Sequence, residues 1–493
     1  MSGGSASRAD RRWLFLLLVV YGAALALLLA HHEMWRDELQ GWLLARDSGN
    51  LGQLWHNTRY EGHPLLWHLI LFPLAHLTAS PVAMQVVHWG VAVGMAALVL
   101  FAAPFPVWVR ALIVFGYFPL YEYGAISRNY GLTVLGLWLA CAVLARRGPP
   151  LAAAGGAALA ANASPMGIVL APAVAAAAWA SAAPGRARSL AVGVIVVAAG
   201  VGTLQCVPPA DYEHAREWFF RWEPLRAAYV ARGFAAALLP LPRPELHFWN
   251  TSALFPPVTP GQSLSPGVGV GVVVLVAAFL AVAFGVRRSR AALSAWLLGV
   301  AALLGFAYVK FPGTTRHWGF VWVLLVGVVW LGVGGGEVRR RRGTLLLAPA
   351  IVAGVAGSLV AGWWEWRAPF SGAKCAASQL RFQGLGTLPL VGGVDWASSG
   401  VAAYLPGGRL YYPASRAEGS FIVWNMTRTR QESLSISSIV GEAKGRDRGN
   451  GIVLLLNEQL PAGDVTGCRT VFECGPTIVP DESIYGYMCY GSR

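Results

Sequence analysis

The chain has 493 residues, of which 56% are hydrophobic and only 13% charged, and its mean hydropathy is +0.52. Soluble domains carry roughly 25% charged residues, so this composition excludes an ordinary globular protein and indicates a polytopic α-helical membrane protein. The net charge of +14 does not point to nucleic acid, because the arginines lie in short clusters on separate loops and no basic face carries interleaved aromatics.

Arg11 and Arg12 precede an apolar run over about 13–30. It has the flanks of a signal peptide but no clear small-residue cleavage site, so it reads as an uncleaved first transmembrane helix running outward. A polar stretch, His31–Trp67, follows, with a first outer loop over 31–63. Four apolar runs come next, at about 64–79, 83–103, 107–123 and 130–145, and end at Arg146-Arg147. The Ala-rich runs at about 151–163 and 167–183 end at Arg186 and Arg188, and about 189–207 leads outward. Small residues over 151–204 let membrane helices pack closely. Residues 208–265 mix aromatics with charge, as an outer loop with amphipathic interfacial helices would, and the Pro-rich stretch 254–266 closes it. Four last runs, at about 266–286, 291–309, 318–334 and 343–362, alternate with the clusters Arg287–Arg290 and Arg339–Arg342.

The arginine clusters mark cytoplasmic loops. A cytoplasmic N-terminus and an outer C-terminal domain require an odd number of crossings, and about a dozen runs do not supply one. One of the four runs between His63 and Arg146 is therefore re-entrant, or two form one broken span. That leaves 11 or 13 transmembrane helices. The transmembrane module is expected over 1–365 and a small extracytoplasmic α/β domain over 366–493. There, Leu388–Val391, Arg409–Tyr412, Phe421–Trp424 and Ile452–Leu456 read as strands bounded by turn residues. Ala373–Leu380 and Ser398–Tyr404 read as helices. Outside the cell disulfides are permitted. Cys468–Cys474 is one candidate across a short turn, and four free, buried cysteines are the alternative.

The ionisable groups with chemical potential gather on one side of this topology. Asp37 and Glu38 follow the first helix. Neighbours on a helix point about 100° apart, so one of them can act on substrate while the other holds structure or a metal. Glu61 and His63 fall at the membrane surface, where Pro64 opens the next run. Arg128 lies one crossing away from Arg146-Arg147, hence outside, against the positive-inside bias, and calls for an anionic partner. Lys310, Arg316 and His317 are outside by the same count and suit a phosphate at headgroup depth. Acids and cations on one face fit a lipid-phosphate sugar donor. Its phosphate is already a good leaving group and needs cations, while an acceptor hydroxyl needs one carboxylate as base. The single base contrasts with the paired carboxylates of glycoside hydrolysis.

These motifs resemble the GT-C superfamily of polytopic glycosyltransferases, especially the bacterial branch related to protein O-mannosyltransferases and the aminoarabinose transferase of lipid A. Trp35-Arg36-Asp37-Glu38 is similar to the acidic motif of that group's first outer loop. Glu61-Gly62-His63-Pro64-Leu65-Leu66-Trp67 resembles its HPPLYY-like segment, with Leu65 at the usual second proline and Trp67 near the usual tyrosines. Ser127-Arg128-Asn129-Tyr130 resembles a shortened S-x-x-x-R-x-Y segment, and Arg316 an outer arginine near a late helix. The resemblance implies Asp37 as catalytic base with Glu38 beside it, and Tyr130, Glu61 and His63 in support. It implies a polyprenyl-phosphate sugar as donor, an acceptor glycan, lipid or protein, and a place in the bacterial cytoplasmic (inner) membrane. A divalent metal near Asp37 and His63 is compatible with it, although no ligand spacing calls for one. The competing readings are a lipid or polysaccharide flippase, which predicts polar groups at mid-membrane and inverted repeats, and a scaffold, which leaves the outer arginines unexplained.

Overall fold

The computed structural model describes residues 8–212, 217–257, 266–333, 337–429, 434–460 and 467–491. The Pro-rich stretch 254–266 and the start of the 208–265 loop thus lie partly outside the described residues. In chain order the first elements are α1 (Arg8–His31), α2 (Arg36–Arg46), α3 (Leu51–Thr58), α4 (Leu66–Leu77), α5 (Val82–Ala102), α6 (Val107–Val114) and a π-helix (Tyr117–Ala125). Then come α7 (Tyr130–Ala145), α8 (Pro150–Ala163), α9 (Pro165–Ser181), α10 (Arg186–Gln205), α11 (Pro224–Leu238), α12 (Pro266–Val286), α13 (Arg290–Val309), α14 (Thr315–Gly332) and α15 (Glu337–Arg367). The C-terminal part adds α16 (Ala373–Phe382), β1 (Leu390–Gly392), α17 (Asp395–Ala403), β2 (Leu410–Tyr412) and β3 (Ala417–Gly419). It ends with α18 (Met426–Thr429), α19 (Ile436–Lys444), β4 (Ile452–Leu456), β5 (Cys468–Cys474) and β6 (Ile484–Cys489).

Seven helices among the described residues are long and apolar enough to cross a membrane: α1, α5, α10, α12, α13, α14 and α15. Shorter apolar helices are α4, α7 and α9. The chain is thus a mostly helical, multi-pass membrane protein with a small C-terminal sheet. Contacts divide it into a helical unit (Met1–Leu27, His88–Cys206, Glu217–Trp363) and a mixed unit (Leu28–Val87, Val207–Arg216, Trp364–Arg493).

In the helical unit, Arg110 at the start of α6 donates to Leu100 O (2.8 Å) and Phe105 O (2.6 Å), and Arg146 at the end of α7 donates to Phe101 O (3.1 Å). Arg110 also feels the charges of Arg340, Arg146 and Asp10. The start of α1, the end of α5, the start of α6, the end of α7 and the start of α15 therefore meet at one basic end. At the other end of α5, His88 Nε2 bonds Tyr123 O (3.1 Å). The expected apolar run at 107–123 is accordingly two pieces, α6 and the π-helix, joined at Phe115-Gly116 and running back along α5. Pro119 lacks an N–H and disrupts α-helical bonding, and Ile126 N closes the π-turn on Tyr121 O at 3.2 Å.

The Ala/Gly-rich helices pack as their composition implies. A Cβ on Gly136 of α7 would lie 2.5 Å from Gly156 O of α8, and one on Gly156 would lie 2.6 Å from Gly136 O. Only backbone fits there.

The mixed unit carries a six-stranded sheet in the order β3-β2-β1-β4-β6-β5. β1 pairs in parallel with β2 and β4, while β3, β5 and β6 pair antiparallel. Every residue of β4 is buried, as suits a central strand covered on both faces. Its core joins Ile452, Leu454 and Leu456 to Val391, Val440 and Ala443 of α19 and β1. The expected strands at Leu388–Val391, Arg409–Tyr412 and Ile452–Leu456 and both expected helices have counterparts. Phe421–Trp424 is not a strand; β3 precedes it at Ala417–Gly419, and β5 and β6 are additional.

The expected Cys468–Cys474 bridge does not form. The two residues are the ends of strand β5, roughly 20 Å apart at strand rise. The disulfides are Cys375–Cys474, which ties α16 to β5, and Cys468–Cys489 across β5 and β6. Pro64 is also not inside a helix: α4 starts two residues later, at Leu66, with Gly62 at φ +63° in the turn before it.

Gly136→Val is expected to destabilise the purified protein by about 1–3 kcal/mol or more through overpacking, read as a lower melting temperature. Gly155→Ala meets open space and should be neutral or slightly stabilising; equal melting of the two variants would refute the close α7–α8 contact.

Candidate functional site

The densest ionisable cluster of the mixed unit is built where α1 ends and α2 begins. His32 is fully buried between two carboxylates. Its Nε2–H donates to Glu38 Oε2 and its Nδ1–H to Glu365 Oε1, both at 2.9 Å, with no side-chain exposure on any of the three. Burial works against the charged ring, but the two carboxylates and their hydrogen bonds outweigh it and push the imidazole up to about 10. His32 is therefore an imidazolium at neutral pH, and neither nitrogen is open to a metal.

Glu38 occupies the third position of α2 and accepts a second bond from Trp35 N–H at 3.2 Å. This is the reciprocal half of a capping box; tryptophan has no side-chain oxygen for the other half. Asp37, one residue earlier, is rotated about 100° away and remains partly exposed in the first turn, where the helix dipole favours an anion. Helix geometry thus separates the acidic pair: Glu38 is a buried structural ligand of His32, and Asp37 is the accessible carboxylate.

The surroundings extend this network. Arg36 stacks on Trp396 (4.4 Å) and donates to Asp481 Oδ2 at 2.9 Å. It also faces Glu482 Oε1 at 3.2 Å, an ion pair whose angle is not that of a hydrogen bond. Glu482 accepts from Ser371 Oγ at 2.6 Å, and burial pushes its carboxyl up to about 8 despite the Arg36 charge. Burial also raises Glu33, against the pull of Lys374 and His32.

Glu61 and His63 are half-buried in the turn before α4. Glu61 Oε1 accepts from Gln40 Nε2 at 2.8 Å, so its role is to hold α2. Among the described residues no group of three or more His, Cys, Asp or Glu side chains could hold a metal ion.

The helical unit collects most of the expected cations. Arg128 lies over the ring of Tyr130 at 5.6 Å, and Tyr130 Oη bonds His317 Nε2 at 3.0 Å. His317 Nδ1 accepts from Thr314 N–H at 3.1 Å. A nitrogen that accepts a backbone N–H carries no proton, so His317 is the neutral Nε2–H tautomer here. It offers Tyr130 a hydrogen bond rather than a charge, which departs from its expected cationic role. Arg316 lies over Trp249 at 5.9 Å, and its carbonyl accepts from Tyr123 Oη at 2.7 Å. Lys310 caps α13 and lies over Trp218 at 5.2 Å, in the aromatic segment that follows Glu217.

Glu122 lies inside the apolar run at 107–123, six residues before Arg128. It is 2% exposed and accepts from Tyr117 Oη (3.0 Å) and Trp249 Nε1 (3.1 Å). The signal for it was an acid inside an apolar run. Near it a cavity of ≈ 80 Å³ is lined by Arg232, Asn250, Thr315 and Trp318.

Compared with protein-family models, characterised proteins and solved structures, the chain matches none.

Removing His32 leaves two carboxylates buried without their cation. His32→Gln is expected to destabilise the protein by about 3–5 kcal/mol. The folded pKa of about 10 lies above the unfolded 6.5, so the stabilisation from His32 is complete below about pH 6.5 and fades as pH rises through about 10. Thermal melts from pH 6 to 10.5 should show the difference between wild type and variant shrinking; a constant or growing difference would contradict the charged clamp.

Proposed function

We propose that this chain is a GT-C-like, inverting glycosyltransferase that moves a sugar from a polyprenyl-phosphate donor to an acceptor on the outer face of the bacterial cytoplasmic membrane. The observation that carries the reading is the division of labour at the start of α2. Glu38 is locked on His32, and Asp37 is left partly exposed directly after the first membrane helix. Asp37 is the general base that takes the proton of the acceptor hydroxyl. Attack on the anomeric carbon opposite the phosphate inverts that centre, and the lipid phosphate leaves with the bonding pair. Arg128 and Arg316 are the groups assigned to that phosphate, with Lys310 as a further cation. Tyr130 and neutral His317 position Arg128. Glu38, Glu61 and His63 position the Asp37 helix.

The topology of the reading has 11 crossings: the seven long helices, α7, α8, α9, and α6 with the π-helix as one broken span. In this count α4 is not a crossing. The basic end that holds Arg110, Arg146 and Arg340 is then cytoplasmic by the positive-inside rule. The C-terminal domain is extracytoplasmic, where its two disulfides persist.

Sugar transfer would be followed in membranes supplied with labelled polyprenyl-phosphate pentoses and hexoses. Asp37→Asn should lose about 10²- to 10⁴-fold in rate, the usual contribution of a general base. Arg128→Ala should weaken donor use, while Glu458→Gln, at an exposed acid of the C-terminal part, should leave transfer intact. Undiminished transfer by a folded Asp37→Asn protein would sink the assignment.

A further inference from the structure

The mixed unit holds a second polar crevice that the transfer reading does not use. It has a volume of ≈ 320 Å³ and opens beside Asp395, Tyr412, Ser415 and Arg428. Ligand pockets typically span about 300–1,000 Å³. Its place in the sheet is informative. β1, β2 and β4 run parallel, with β1 in the middle. The connection from β1 through α17 leads to β2 on one side, and the chain returns through α19 to β4 on the other. The crevice lies past the carboxyl ends of β1 and β2, on the side of the edge strand β3, whose Ala417, Glu418 and Gly419 line it, rather than between β1 and β4. Asp395 follows β1, and Tyr412 and Ser415 end and follow β2.

The chemistry of the lining selects a ligand class. Asp395 and Arg428 form a two-bond ion pair, Nε to Oδ2 at 2.7 Å and Nη2 to Oδ1 at 3.0 Å, with side-chain exposures of 5% and 1%. A buried pair of this kind is weak evidence for stability, since apolar side chains of the same volume do as well. At a crevice it supplies fixed donors and acceptors without net charge. Arg409 and Glu418, both exposed, add one charge of each sign, and Arg409 Nη2 donates to the Glu418 carbonyl at 3.0 Å. The lining also includes Ser415, Asn425 and Thr427, with hydroxyl and amide groups, and the apolar Phe421 and Val423. An anion would need surplus cations, and an apolar chain would leave these polar groups without water. A sugar ring has hydroxyls at its edge and C–H groups on its faces, and needs both.

The crevice is also tied to the helix that carries Asp37. Gln40 of α2 clasps Ile422 at the rim, accepting from its N–H (3.0 Å) and donating to its carbonyl (2.8 Å). Asp47 at the end of α2 accepts a hydrogen bond from Ser420 Oγ. We propose that this crevice binds a neutral, hydroxyl-rich saccharide segment. That the saccharide is the acceptor rests on the glycosyl-transfer reading; that it binds does not.

The test uses the full chain in detergent, applied to an array of immobilised neutral and acidic oligosaccharides, with inorganic phosphate as competitor. Wild type should be retained by at least one neutral saccharide, and phosphate should not displace it. Ser415→Trp and Thr427→Trp fill the crevice and should each weaken retention about tenfold or more, with unchanged melting temperatures. Asp37→Asn should keep wild-type retention, so a failed transfer assay and a failed crevice remain distinguishable. Retention by acidic glycans alone, displacement by phosphate, no retention by any neutral saccharide, or full retention by both folded tryptophan variants would overturn the proposal.

Discussion

The His32 imidazolium between Glu38 and Glu365 is the constraint on which the mixed unit depends. Three ionisable groups without solvent exposure would each cost several kcal/mol to bury alone. Together they form one charged assembly that ties the residue after α1 to the end of α15 and to the first turn of α2. Two ring nitrogens and two carboxylate oxygens at 2.9 Å leave the imidazole no second orientation. Gln85 adds bonds from its Nε2 to Leu29 O and His32 O, both at 3.2 Å, which hold the chain as it leaves α1. Arg36, Gln40, Arg46 and Asp47 then fasten α2 along its length to the C-terminal domain.

The helical unit is organised by different physics. Its long helices meet through small residues, where backbone replaces side chain at the contact, and its polar groups are concentrated where helical geometry breaks. The π-helix is such a break. It brings Tyr117, Tyr121, Tyr123 and Glu122 into a buried aromatic layer, with Tyr123 stacked on Phe118 at 5.6 Å and Glu122 satisfied by Tyr117 and Trp249. A buried acid needs hydrogen-bond donors, and here tyrosine and tryptophan supply them from the aromatic layer itself.

The membrane class and most long helices were legible in the sequence because composition and the length of apolar runs report them directly. The central strand Ile452–Leu456 was legible for the same reason: it is buried on both faces and reads as an uninterrupted apolar run. β5 was not, because CRTVFEC mixes polar and apolar residues, only two of them buried, so its pairing with β6 comes from tertiary contact. The Cys468–Cys474 pairing failed because spacing in the chain says nothing of whether the intervening residues turn or extend. The parity of the crossings could not be resolved from hydropathy alone. The run at 107–123 is apolar throughout, and only Gly116 and Pro119 mark the point where it breaks. At the candidate site, Asp37-Glu38 and Ser127–Tyr130 stood out as ionisable groups among apolar runs. The partnership of His32 with Glu365 did not, since 333 residues separate them. The neutral tautomer of His317 depends on one backbone N–H, which no sequence pattern displays.

Buried ion pairs are a poor way to gain stability, because apolar side chains of equal volume do as well or better. The mixed unit nonetheless places the charges of His32, Glu38, Arg36 and Asp481 around the first turn of α2. What such pairs supply that leucines would not is direction: charge-assisted bonds fail when a helix rotates, whereas apolar contacts re-form. A rotation of α2 by one residue, about 100°, would draw Asp37 into the position of Glu38, against His32, and press Glu38 into the fully buried, apolar place of Leu39. The bonds of Glu38 to His32 and Trp35, of Arg36 to Asp481 and of Gln40 to Ile422 are all lost in that rotation, and nothing in the sequence of α2 replaces them. The network therefore sets which member of the Asp37-Glu38 pair is accessible, and the catalytic reading follows from that orientation rather than from the presence of two acids.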